Sequence, residues 1–196
     1  MKLILASASP RRAEILRSAG FPFTVVSSAV DETAFFGESA QDHVQRLAAA
    51  KADLVAARAV GPAIIIAADT VVALDGQIIG KPKSTDDARH LLEQLASRTH
   101  SVLTGVTLIR LPDAERRSFV ETTQVQFAAL SPEEIVGYLA TAEPYDKAGA
   151  YAIQGYAGRY VSRIEGCYFN VVGLPLARVY RELIELGWSE EFRDEQ

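Results

Sequence analysis

Short apolar runs of strand type alternate along this chain with capped segments of helical type. Lys2 to Ala6 reads as a strand; Ser9 and Pro10 then supply the N-cap and first position of a helix to about Ser18, stopped by Gly20. A second strand, Phe23 to Val26, leads into a polar loop carrying Asp31-Glu32-Thr33. Ser39 caps a long helix to about Arg58, with Asp42 at the third helical position as a short-armed capping box. The apolar run Ala63 to Leu74 predicts a buried strand, and Asp75-Gly76 predicts a two-residue turn that folds the chain back through Gln77-Ile78-Ile79 to Gly80-Lys81-Pro82. The helix predicted over about Thr85 to Ala96 places Leu91, Leu92 and Leu95 on one face. Strands at Ser101 to Ile109 and Arg117 to Phe127 precede a helix opened by Ser131-Pro132-Glu133-Glu134. Beyond a loop from Glu143 to Gly155, two strands are predicted near Arg159 to Ile164 and near Tyr168 to Val172. A last helix then runs from Pro175 to Leu186, ended by Gly187, and Glu190 to Gln196 reads as a frayed acidic tail.

Such alternation predicts the α/β class, while the Asp75-Gly76 hairpin and the adjacent strand pair after Ala96 argue against a purely parallel sheet. A mixed sheet flanked by helices is expected. The chain shows no internal repeat and no linker, so residues 1–196 read as a single domain, and two lobes around a cleft fit its length.

Composition removes whole classes of function. With 48% hydrophobic and 23% charged residues among 196, the chain can bury a full core and is not a disordered one. A net charge of -5 argues against a general nucleic-acid binder, so any phosphate site has to be a local cluster of cations. The single cysteine, Cys167, cannot form an internal disulfide, and none of His43, His90 and His100 adjoins it in sequence to activate it as a nucleophile. Met1 to Ala6 is too short for a signal peptide, and no apolar stretch approaches the roughly 20 residues that a membrane helix needs. A soluble, cytoplasmic protein with no membrane partner is expected.

Three departures from the expected polarity pattern carry the chemistry. Asp69 lies inside an apolar strand, where an unpaired carboxylate costs several kcal/mol, so a cation, a metal or hydrogen-bond donors should surround it. The alternative is a structural aspartate with satisfied hydrogen bonds. Arg11 and Arg12 occupy the first helical turn, where the helix dipole disfavours cations, directly after the small residues Ser7-Ala8-Ser9. Free N–H groups and two guanidiniums make that turn a candidate phosphate site; two solvated arginines are the alternative. Lys51 falls within the apolar stripe of the Ser39 helix, four residues after Leu47 and four before Val55, either facing the site or snorkelling past the core edge. Lys81 arrives through the hairpin: a regular turn pairs Leu74 with Gln77 and thus brings Lys81 level with Thr70, although Gly80 and Pro82 disturb the ladder.

No Walker loop, dinucleotide fingerprint, Cys-x-x-Cys, His-Glu-x-x-His or nucleophile elbow is present. What remains is a set of carboxylates at Asp31, Glu32 and Asp69 with cations at Arg11, Arg12, Lys51 and Lys81. Hard oxygen ligands beside Arg and Lys suggest Mg²⁺ or Mn²⁺ holding a polyphosphate.

The segments Leu3 to Arg12, Asp31-Glu32-Thr33, Lys51, Ala68 to Val72, Gly80-Lys81-Pro82, Asp146 to Gly155 and Val172 to Pro175, taken together and in order, resemble the Maf family of nucleoside triphosphate pyrophosphatases. The resemblance implies an inosine-triphosphatase-like α/β fold with a deep cleft, a divalent metal, a homodimer, and hydrolysis of a nucleotide to its monophosphate and pyrophosphate. It assigns signature positions to Ser7, Arg12, Glu32, Lys51, Asp69 and Lys81, with Asp69 as proton acceptor and Glu32 beside it on the metal. Ser7, Arg11, Arg12, Lys51 and Lys81 would then share the phosphates. Arg11, Thr70 and Gln154 match the branch acting on dTTP and UTP, whereas the sister branch acting on 7-methyl-GTP carries Trp, Gln and Glu there. A non-catalytic regulator of septum formation or cell division is the competing reading, and it leaves the charged cluster without a task.

Overall fold

The computed structural model describes residues 1–189. Its centre is β3 (Ala63–Leu74), buried along its whole length except at half-buried Thr70. Asp75 and Gly76 both take positive φ, 51° and 78°, the backbone that a tight hairpin needs, and β4 (Gln77–Ile79) returns antiparallel with Leu74 opposite Gln77. On the other side of that turn β3 has a different neighbour. β1 (Lys2–Leu5) pairs in parallel with Ala63 to Ile66, and β2 (Phe23–Val25) lies parallel beyond β1. The long strands β5 (Thr99–Leu111) and β6 (Glu115–Phe127) and the short β7 (Val161–Glu165) complete a mixed seven-stranded sheet of order β2-β1-β3-β5-β6-β7, with β4 on β3.

Side chains alternate across β3, and the alternation sorts the helices. On one face Ile64, Ile66 and Ala68 pack with α1 (Pro10–Ser18) and α6 (Leu176–Glu185), while Val72 and Leu74 pack with α3 (Thr85–Leu95) and α4 (Pro132–Leu139) in a second core. Two lobes therefore share one face of the sheet, and the division falls at Thr70. On the opposite face Ile65, Ala67, Val71 and Ala73 pack against α2 (Ala40–Ala56), which spans both halves. Its start is set by Ser39, whose hydroxyl accepts from Asp42 N at 3.1 Å. Gly105 of β5, opposite Asp69, lets α2 come close: a Cβ there would stand 2.3 Å from the Val44 carbonyl oxygen.

One predicted strand is a helix. Tyr168 to Val172 forms α5 (Tyr168–Val172), because Asn170 is buried with its side-chain amide donating to the Val102 carbonyl and Thr123 Oγ1, each at 2.9 Å. Tertiary hydrogen bonding overrides the strand preference of the aromatic and β-branched residues around it. Part of the strand predicted from Arg159 is instead a 3-10 turn over Tyr156–Tyr160, ahead of β7. The other helix ends fall within a few residues of their predicted positions, the usual scatter of frayed termini. The predicted acidic tail lies outside the described residues.

Candidate active site

The site forms where β3 changes partners. β1 ends at Leu5, opposite Ile66, and β4 begins to pair only at Val72, so the segment between lies open along that edge. The loop after β1, the start of α1 and the chain leaving β4 all converge on this gap, the place where open α/β sheets form ligand crevices. A cleft of about 760 Å³ results, lined by Ser7, Arg11, Arg12, Glu32, Lys51, Asp69, Thr70, Lys81 and Gln154. Nine of the ten residues that the sequence singles out for catalysis, phosphate, base or metal thus reach one cavity.

Asp69 and Thr70 are sequence neighbours and so face opposite sides of the sheet. Asp69 faces α2. There Lys51, with 6% of its surface exposed, places its Nζ 2.7 Å from Asp69 Oδ1 and 2.6 Å from Glu32 Oε1. Lys51 does not snorkel: its ammonium ends between two carboxylates. Burial alone would raise the Glu32 carboxyl, but the Lys51 bond and the charges of Lys51, Lys81 and Arg12 outweigh it and hold Glu32 below the ordinary range.

Thr70 faces α1 and α5. Its hydroxyl accepts from Arg12 at 2.9 Å and lies 2.9 Å from Thr104 Oγ1, which itself donates to the Asn170 carbonyl. The same guanidinium donates through Nε to the Gly173 carbonyl at 2.8 Å and through a terminal nitrogen to Ser7 Oγ at 3.1 Å. Arg12 is 9% exposed, and burial pushes its ionisation down against the opposing pull of Asp69. Among the described residues three of its five N–H groups are committed to the protein, which leaves two for a ligand. The hydrogen bonds stitch α1 to the turn after α5 and set Ser7 beside the cleft. Arg11 is half-buried, and Lys81 and Gln154 stand exposed at the rim.

Asp31 departs from the expected set. Its side chain is exposed, accepts from Thr33 N at 2.9 Å, and does not line the cleft, so the polar loop delivers one carboxylate and not two. Among the described residues no group of three or more His, Cys, Asp and Glu side chains is gathered for a metal. Two carboxylates nonetheless converge on one cation, the Lys51 ammonium. That donor set suits Mg²⁺ or Mn²⁺ bound by one or two carboxylates, with water and substrate phosphates supplying the rest.

His43 and Tyr151 also line the cleft but are not among the candidate site residues of the sequence. For His43 a signal existed, since residues 43, 47 and 51 are spaced four apart on α2. Tyr151 carried no comparable mark, because its partner His100 lies on β5, with Nε2 2.8 Å from the phenol oxygen.

Fold and cleft together define an α/β protein that concentrates cations and two carboxylates at a topological switch point. The chain belongs to the Maf family: residues 2–186 match the family described as Maf-like protein. It is 48% identical to the dTTP/UTP pyrophosphatase of Carboxydothermus hydrogenoformans, over 96% of this chain and 100% of the relative. It is 50% identical to the protein of that name from Geotalea uraniireducens, over 96% of each, and 47% identical to that of Halalkalibacterium halodurans, over 97% and 98%. Among solved structures the Staphylococcus aureus Ham1 protein shares the fold, with a TM-score of 0.51 at 16% identity over 96% of this chain and 100% of that one.

Proposed function

We propose that this protein is a nucleoside triphosphate pyrophosphatase that hydrolyses dTTP and UTP to the monophosphate and pyrophosphate. The observation that carries the reading is the Lys51 ammonium held between Asp69 and Glu32 in a cleft ringed by Ser7, Arg11, Arg12 and Lys81. Attack of water on the α-phosphorus requires an oriented water, a proton acceptor and cations for the phosphates. Asp69 Oδ1 is occupied by Lys51, and Oδ2 makes no hydrogen bond among the described residues, so Oδ2 is the oxygen that takes the water's proton. Ser7 donates to a phosphate oxygen, and Arg11, Arg12, Lys51 and Lys81 share the negative charge. Asp69 and Glu32 would hold a divalent cation, Mg²⁺ or Mn²⁺, which when bound neutralises phosphate charge.

Gln154 offers an amide donor and acceptor that match the N3–H and carbonyl edge of uracil or thymine, with Arg11 and Thr70 shaping the same pocket. The names of the relatives support the same choice of substrates. The family resemblance also supports a homodimer acting in the cytoplasm; no helix among the described residues is long and apolar enough to cross a membrane.

The test is pyrophosphate release from a panel of dTTP, UTP, GTP and 7-methyl-GTP with Mn²⁺, for the wild type and Asp69→Asn. Turnover of dTTP and UTP above the purines is expected, with the variant folded and slower by about 10²- to 10⁴-fold. Activity confined to 7-methyl-GTP overturns the substrate assignment, and an Asp69→Asn protein that keeps more than about a tenth of wild-type kcat removes Asp69 as the base.

A further inference from the structure

Glu32 reaches the cleft from the segment 26–39, which joins β2 to α2 without a helix or strand of its own. A carboxylate on such a segment is poorly placed for precise work unless something fixes the backbone around it, because an untethered residue loses backbone entropy each time it is ordered. The fixing group is Arg46, on the same helix that presents Lys51. Its Nε donates to Glu38 Oε1 at 2.6 Å, and one terminal nitrogen donates to Glu38 Oε2 at 2.8 Å and to the Thr33 carbonyl at 3.1 Å. The guanidinium carbon lies 4.0 Å from the centre of the Phe35 ring. Glu38 Oε2 further accepts from Phe35 N at 3.1 Å and from His43 Nδ1 at 2.9 Å. Arg46 therefore grips residues 33, 35 and 38, the stretch that directly follows Glu32, and does so with a planar fork that a lysine cannot reproduce.

We propose that Arg46 and Glu38 are positioning residues for the divalent-cation site: their clasp holds Glu32 against Asp69 so that the two carboxylates meet one cation. The inference rests on the reading that Glu32 and Asp69 bind that cation. The clasp itself never touches the metal or the nucleotide; it removes the ordering cost from the binding step.

The experiment measures Mn²⁺ binding directly, by the electron paramagnetic resonance signal of free Mn²⁺, in the presence of an α,β-methylene analogue of dTTP that is not hydrolysed. Wild type, Arg46→Gln, Arg46→Lys, Glu38→Gln and Glu32→Gln are compared well below their melting temperatures. The clasp variants should need about five-fold or more Mn²⁺ for half-saturation, Arg46→Lys included, and their turnover of dTTP should recover toward wild type as Mn²⁺ is raised. A structural role alone would lower the melting temperature and leave Mn²⁺ half-saturation where it was. Unchanged Mn²⁺ affinity in Arg46→Gln, Arg46→Lys and Glu38→Gln beside a weakened Glu32→Gln overturns the clasp while sparing the metal site. Unchanged affinity in Glu32→Gln overturns the assignment of the metal site, and the clasp proposal with it.

Discussion

His100 shows how strongly a single buried residue can be set by its surroundings. It is 1% exposed, stands edge-on to Phe127 and Tyr151 with ring centres 5.2 and 5.4 Å away, and has no partner at Nδ1 among the described residues. Its Nε2 lies 2.8 Å from the Tyr151 phenol oxygen. Burial pushes the imidazole down to about 4 from its ordinary 6.5. The unfolded chain therefore takes up a proton as the pH falls through 6.5, while the folded one refuses it until about 4. This contribution is complete above 6.5 and is lost between 6.5 and about 4. Between about pH 7 and about pH 5 the wild type should lose about 2 kcal/mol more than His100→Gln, as read from urea unfolding at each pH. Equal losses would mean that the folded ring is protonated in that range.

At the scale of elements, the geometry that delivers Lys51 depends on how near α2 lies to β5. Gly105 is the reason for that approach, since any side chain there meets the backbone of Val44 rather than a flexible tip that could move aside. Gly105→Ala should therefore displace α2 or strain β5 at a cost of about 1–3 kcal/mol. It should also lower the affinity for nucleotide, because Lys51 sits on α2, which is pushed away from the sheet that carries Asp69 on β3 beside Gly105. An unchanged melting temperature and an unchanged ligand-induced shift would show that the helix accommodates the methyl. This close approach was not legible in the sequence, where Gly105 looks like any glycine in a strand. Legibility followed the locality of the cause. Helices with a Ser cap and the hairpin at Asp75-Gly76 are specified by neighbouring residues and appear where predicted. The misplaced element, Tyr168–Val172, is specified by Asn170 bonding to strands far away in the chain. Candidate site residues were visible for a related reason: Asp69 and Lys51 each violate the polarity of a local pattern, whereas Arg46 and Glu38 break no pattern in the sequence and acquire meaning only through one another.

For the whole molecule, the decisive feature is that the two lobes share strands. They have separate cores, yet β3 and β5 supply side chains to both, Ile66 and Leu108 to one and Leu74 and Val102 to the other. Neither core can lose its strands while the other keeps them, so unfolding should be a single cooperative transition. The chain has one tryptophan, Trp188, buried at 4% exposure in the core of α1 and α6 and stacked on Phe21 with ring centres 5.3 Å apart. Its fluorescence reports one lobe, while far-ultraviolet circular dichroism reports helices in both. In urea the two signals should give the same midpoint and the same slope. A nucleotide bound in the cleft would touch residues delivered from both sides of Thr70, so the α,β-methylene analogue of dTTP with Mn²⁺ should move the two curves together, by about 2.7 kcal/mol when the ligand is at about 100 times its Kd. Two midpoints that separate, or a ligand that moves only the tryptophan signal, would show that the lobes unfold independently and that the cleft binds through one of them alone.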